Sequence, residues 1–102
     1  MQRYVDLTSF PAVRLDVAYS LPADVPAARL DEVVREAAGP LLAGAEIFDR
    51  YEGRQAGEGR VSIAVHLAFR APDRTLTDEE AIEIRDRITR AVEEQLGGAY
   101  RA

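Results

Sequence analysis

The chain has no cysteine and no lysine, and only one histidine and one methionine. Without cysteine there is neither a disulfide framework nor a thiolate metal site. A lone histidine, His66, leaves no His pair at metal-ligand spacing, and no Ser-His-Asp set can be assigned around it. No apolar run approaches the roughly 18 to 20 residues needed to cross a bilayer. The opening MQRYVDLTSFP has no apolar core of the kind a secretory signal carries. Repeats, low-complexity tracts and linkers are also missing. The expectation is one domain over residues 1–102, in the cytoplasm, with no membrane partner, no catalytic residues and no metal site.

What is present is ordinary for a folded domain: 47% apolar and 30% charged residues. The net charge of −5 argues against a sequence-blind nucleic-acid binder, because phosphate affinity comes mainly from Lys and Arg. All 13 basic residues are Arg. That choice favours planar, bidentate and stacking contacts over diffuse attraction, although a GC-rich genome accounts for the same bias.

Val13 to Leu21 alternates, with Val13, Leu15, Val17, Tyr19 and Leu21 on one face, which is the period of a half-buried strand. Pro22 to Pro26 breaks it, and Pro26 suits the first turn of a helix. Leu30, Val33, Val34 and Ala37 then recur at helical spacing until Gly39-Pro40 stops them. A second strand is expected from about Ala45 to Glu52. Across the Gly-containing connection GRQAGEGR a third, Arg60 to Arg70, alternates cleanly, and the two strands read as an antiparallel hairpin. Thr77-Asp78-Glu79-Glu80 is a capping box opening a second helix through Ala81, Ile84, Ile88 and Val92 to Leu96. Gly97-Gly98 ends it, and Ala99-Tyr100-Arg101 forms a short last strand. The order β-α-β-β-α-β predicts an α+β, ferredoxin-like fold: a four-stranded antiparallel sheet, strands one and three central, with two helices on one face.

The other sheet face is then open. Parity assigns it Arg14, Asp16, Ala18 and Ser20 from strand one, and Ser62, Ala64, His66, Ala68 and Arg70 from strand three. On an unbroken register strand two adds Glu46, Phe48 and Arg50. Small residues in the middle, flanked by an aromatic ring and guanidinium groups, let a base approach and stack. Packing on another domain, or a solvated face without partner, fits the same pattern. Acidity is segregated to the helices, which with Asp24 carry eleven acidic residues against five Arg. Asp78, Glu79 and Glu80 complement the helix dipole, an alternative to a metal site. GRQAGEGR lacks the Lys-Ser/Thr of a phosphate-binding P-loop and joins two strands, although Arg54 and Arg60 stand where they can touch a phosphate backbone.

Five collinear stretches resemble one family. They are Ser9-Phe10-Pro11-Ala12-Val13-Arg14 with Asp16; Glu36 to Leu42 (EAAGPLL); Glu46 to Gly53 (EIFDRYEG); Gly57 to Ala64 (GEGRVSIA); and Arg74 to Glu80 (RTLTDEE). Together they resemble the ferredoxin-fold anticodon-binding domain at the C-terminus of the bacterial phenylalanyl-tRNA synthetase β subunit, over roughly Tyr4 to Arg101. The resemblance implies a noncatalytic module that docks on the anticodon stem-loop of tRNA-Phe, with the remainder of the synthetase as its other partner and no DNA. Phenylalanine, ATP and magnesium would bind the distant catalytic module, so no cofactor is expected in this domain. By family pattern Arg14, Asp16, Phe48, Ser62 and Ala64 are carried over as RNA-binding positions. The sheet face adds Arg50, Arg60, His66 and Arg70. Leu15 and Val61 depart from the family, which often has Arg and Lys there, and both remove positive charge near the presumed RNA face. At 102 residues the chain is expected to be that module taken from a longer protein, the alternative being a freestanding ferredoxin-like interaction module that dimerises through the same face.

The helix-two pattern sets an order of stabilities. Thr77→Ala should cost about 0.5 to 2 kcal/mol through the lost cap, and Ile84→Ala about 2 to 5 kcal/mol through the lost core side chain. Urea denaturation of the two variants checks the order, and a smaller loss at Ile84 would mean that the inward face of this helix is misassigned.

Overall fold

A computed structural model describes residues 10–52 and 58–101. The elements run β1 (Val13–Pro22), α1 (Ala27–Ala38), β2 (Leu42–Glu52), β3 (Arg60–Phe69), α2 (Asp78–Leu96) and β4 (Ala99–Tyr100), with a 3-10 turn over Gly39–Leu41 before β2. The sheet order is β2-β3-β1-β4, every pair antiparallel, so β1 and β3 are central as expected. The ferredoxin-like α+β arrangement is the one the alternation and helical spacing imply. Most of the connection between β2 and β3, residues 53–57 with Arg54, lies outside the described residues, as do residues 1–9 and 102.

The two central strands dictate the core. Val17, Tyr19 and Leu21 of β1 and Val61, Ile63, Val65, Leu67 and Phe69 of β3 are buried on one face. Against them lie Leu30, Val33, Val34 and Ala38 of α1 and Ala81, Ile84, Ile88, Val92 and Leu96 of α2. Burying each of the larger side chains contributes about 1.5 to 3 kcal/mol before conformational entropy is counted. Tyr19 is fully buried and its hydroxyl lies 2.9 Å from Thr89 Oγ1, which satisfies the one polar atom the ring brings inside. Burial, only partly offset by that hydrogen bond, pushes the phenol above its ordinary range.

The helix ends explain where the elements stop. Thr77 Oγ1 accepts from the Glu80 N–H at 3.1 Å, and Glu80 Oε1 accepts from the Thr77 N–H at 3.0 Å, the reciprocal box read from the sequence. The Thr77 N–H holds the Glu80 carboxyl below its ordinary range. Pro26 sits one position earlier than expected. It is extended (φ −68°, ψ 146°) and precedes the first turn, to which its carbonyl still accepts from the Arg29 and Leu30 N–H groups. At the other end of α1, Arg87 reaches across from α2 and donates to the Ala37 and Ala38 carbonyls at 3.1 and 2.9 Å. A cation at these free carbonyls also complements the helix dipole.

Gly97 turns the chain out of α2 with φ +68°, and Gly98 then passes against the sheet. A Cβ on Gly98 would stand 2.5 Å from Val92 Cγ1, 2.7 Å from Leu21 Cδ2 and 3.3 Å from the Ser20 carbonyl. Only glycine lets β4 dock here. Gly44, by contrast, has nothing within 4 Å of such an atom. Gly98→Ala should therefore lower stability by about 1 to 3 kcal/mol through overpacking, while Gly44→Ala stays within about 0.5 kcal/mol of the parent. Thermal melts of the two single variants check the contrast.

Candidate functional site on the open sheet face

β1 and β3 pair without interruption from Val13↔Phe69 to Pro22↔Arg60. The outward residues therefore stand opposite one another as Arg14 with Ala68, Asp16 with His66, Ala18 with Ala64, and Ser20 with Ser62. These positions are as the alternation assigns them.

β2 is different, because its register shifts twice against β3. The first shift lies between Leu42 and Gly44, the second between Ile47 and Asp49. The second shift leaves Phe48 as an extra residue, a β-bulge. Before it, Glu46 faces His66 on the open side and Ile47 faces Val65 on the core side. After it, Asp49 pairs with Ala64 and Tyr51 with Ser62, so both take the open side, while Arg50 pairs with Ile63 and Glu52 with Val61 on the side of the helices. The placement of Arg50 on the open face is thus corrected. The bulge reverses parity, and Arg50 spends its guanidinium on Glu52 at 2.8 Å. Asp49 and Tyr51 occupy the open face instead.

The bulge also delivers Phe48. Its ring stacks on His66 with centroids 3.6 Å apart and planes 9° from parallel. His66 Nδ1 lies 2.6 Å from Asp16 Oδ1. A carboxylate only accepts, so the ring nitrogen is the donor, and this fixes the imidazole that backs Phe48. Asp16, His66 and Phe48, named separately in the sequence, form one unit. Phe48 remains 48% exposed and Tyr51 43%, so two rings are open to solvent on one face. Ala18, Ala64 and Ser62 make the floor near them, and an open depression of about 840 Å³ extends from His66 past Ala68 and Arg14 to Gly44.

The arginines divide by partner. Arg60 donates Nε to Ser20 Oγ at 2.8 Å and Nη2 to the carbonyls of Ser20 and Gly97 at 2.8 and 3.0 Å. It ties β1 to the Gly97 carbonyl just past the end of α2. Arg70 donates Nε to the Phe10 carbonyl at 2.9 Å and its N–H to Leu41 at 2.8 Å. Arg14 is exposed, and among the described residues its side chain has no hydrogen bond or ion pair. Arg101, beyond the end of β4, donates its N–H to the Ala18 carbonyl at 2.8 Å. That bond continues the pairing of Tyr19 with Tyr100 by one residue and sets Arg101 on the open side beside Ala18. Periodicity from two or three residues carries too little signal to place such a side chain. Among the described residues, no three His, Asp or Glu side chains gather as metal ligands, and no helix is long and apolar enough to cross a membrane.

Comparison with known proteins identifies the family. The model of the ferredoxin-fold anticodon binding domain matches residues 8–101. The phenylalanine–tRNA ligase beta subunit of Moorella thermoacetica is 48% identical over 99 residues, 97% of this chain and 12% of that protein. Those of Nocardia farcinica and Corynebacterium efficiens are 45% and 46% identical over 95 residues, 93% of this chain and 11% of each. The chain thus spans about an eighth or less of the curated relatives it matches.

The division of arginines makes a measurable distinction. Arg60→Ala should cost about 1 to 3 kcal/mol of stability, because it removes charged hydrogen bonds at the junction of β1 and α2, whereas Arg14→Ala should stay within about 0.5 kcal/mol of the parent. Urea denaturation of both variants reads the difference.

Proposed function

The chain belongs to the family of ferredoxin-fold anticodon binding domains, and on that premise we propose that it is a noncatalytic module of a phenylalanine–tRNA ligase beta subunit, docking on the anticodon region of tRNA-Phe through its open sheet face. One observation carries the placement: two exposed rings, Phe48 and Tyr51, stand on the face whose floor is Ala18, Ala64 and Ser62. Unstacked bases of an RNA loop seek flat apolar partners, and each base–aromatic stack contributes about 1 to 3 kcal/mol. The small floor lets a base lie close to the sheet. Asp49 beside it accepts from a base's amino or imino group, and the Ser62 hydroxyl donates or accepts.

The acidic total charge is compatible with this reading. Stacking and base-edge hydrogen bonds depend on fixed geometry and not on the net charge, while the few available cations confer only a modest salt dependence. The reading assigns no cofactor and no chemistry to this domain, and it places the protein with the tRNA in the cytoplasm. Aminoacylation would proceed on the catalytic part of the synthetase.

Titration of the 102-residue chain with a tRNA-Phe anticodon stem-loop, and with a scrambled-loop control, tests it. The cognate loop should bind preferentially and more weakly as salt rises. Phe48→Ala and Tyr51→Ala should each lose roughly fivefold to a hundredfold in affinity, the range that one base stack supports, with melting curves unchanged. Cognate affinity untouched by both substitutions would overturn docking on this face. A concentration-dependent dimer abolished by Ala64→Arg, without RNA affinity, would establish the self-associating module instead.

A further inference from the structure

The register joins four residues from four strands into a single row across the open face: Asp49 of β2, Ala64 of β3, Ala18 of β1 and Arg101 after β4. The two ends of this row carry opposite charge and its middle carries two methyl groups. Three interstrand spacings put the end Cα atoms about 15 Å apart. Both ends are exposed, and among the described residues neither side chain has a hydrogen bond or ion pair. The neighbouring rows differ. In one, Asp16 is already matched with His66 at 2.6 Å. In the next, Ser20 and Ser62 lie beside Tyr51, with Arg60 folded onto Ser20.

Resting on the RNA reading above, we propose that Arg101 is the phosphate-binding residue of this face, and that its opposition to Asp49 orients a bound nucleotide across the sheet with its base toward β2 and its phosphate toward β4. A phosphate is repelled at the Asp49 end and attracted at the Arg101 end. Base-edge N–H donors have the reverse preference. The exposed rings strengthen the same polarity, since Phe48 and Tyr51 both belong to β2 and none of the outward positions of β1 or β4 in these rows is aromatic. Arg101 is held there by its backbone. Its N–H bonds Ala18, Gly98 packs against Leu21 and Val92, and Arg60 fastens the Gly97 carbonyl just before β4. Arg60 is a positioning residue in this scheme, and Arg101 makes the contact.

Phosphate contacts carry no sequence information and are salt-dependent, so the test reads both properties. The 102-residue chain and its Arg101→Ala and Arg101→Lys variants are titrated with cognate and scrambled stem-loops across a series of salt concentrations. Arg101→Ala keeps the backbone bond to Ala18. It should weaken both loops by the same factor, about three- to tenfold at low salt, and reduce the slope of log affinity against log salt by about 0.7 to 1. Arg101→Lys should restore the slope. An unchanged slope in Arg101→Ala, with the parent chain still binding RNA, would overturn this assignment alone. A loss confined to the cognate loop would likewise overturn it, because Arg101 would then be reading a base. Failure of the parent chain to bind either loop would remove the RNA reading and this assignment together.

Discussion

The continuous pairing of β1 with β3 is the constraint on which the rest depends. Both strands bury one face almost completely, so a one-residue slip in either would turn a row of valines, leucines and isoleucines to water. No irregularity is tolerable there. It is displaced to β2, an edge strand whose side chains are all at least partly exposed and whose bulges disturb no buried layer. The bulges also twist an edge that would otherwise invite pairing, and Arg35 adds a guanidinium on the Ala45 carbonyl at 3.2 Å. The consequence for the site is direct. The strand that carries the defect is the strand that presents Phe48, Asp49 and Tyr51.

Arginine does two kinds of work in this molecule. Arg87 closes the end of α1, Arg60 closes the end of α2 and pins it to β1, and Arg70 holds the Phe10 carbonyl over the start of the sheet. Each uses the planar fork to donate to fixed backbone acceptors, which an ammonium group would meet less well. Among the described residues, the cations left on the open face are few and stand at its margins: Arg14 near Gly44 at one end and Arg101 at the β4 edge. A domain with net charge −5 therefore need not repel RNA from this face, because the acidity belongs mainly to the helices on the opposite side.

The fold was legible because its signals are local and mutually consistent. The alternation of β1 and β3, the apolar spacing of α2, the Thr77-Glu80 box and the glycines after each helix all point to one architecture. The face was legible as well, since parity follows wherever a register is unbroken. Arg50 marks where this reasoning stopped. A bulge is a property of two strands and not of one, so nothing in EIFDRYEG alone announces that Phe48 is supernumerary. A weak signal was present: unbroken parity sets Arg50 outward and Asp49 and Tyr51 inward, and an inward Asp49 is costly. Arg60 was misleading for another reason. It was read as a hairpin residue free to touch a phosphate, but its guanidinium is held by Ser20 and Gly97, 40 and 37 residues away in sequence.

Specificity on such a surface comes from what the fold leaves unmatched. The carboxylate of Asp16 has His66, that of Glu80 has Thr77, and Arg60 has Ser20 and Gly97. A ligand gains little from groups already paired, because it must break one hydrogen bond to make another. Arg14, Asp49 and Arg101 are unmatched among the described residues, and Phe48 and Tyr51 keep much of their ring surface exposed. These groups are few, differ in kind and are held by a rigid sheet. Under the proposed docking, a base lying against the rings of β2 would meet a carboxylate at one end of the row and its own phosphate would meet a guanidinium at the other, so an inverted nucleotide would lose both polar contacts at once. Selectivity would then rest on orientation, which a sheet can impose without a positive field around the whole domain.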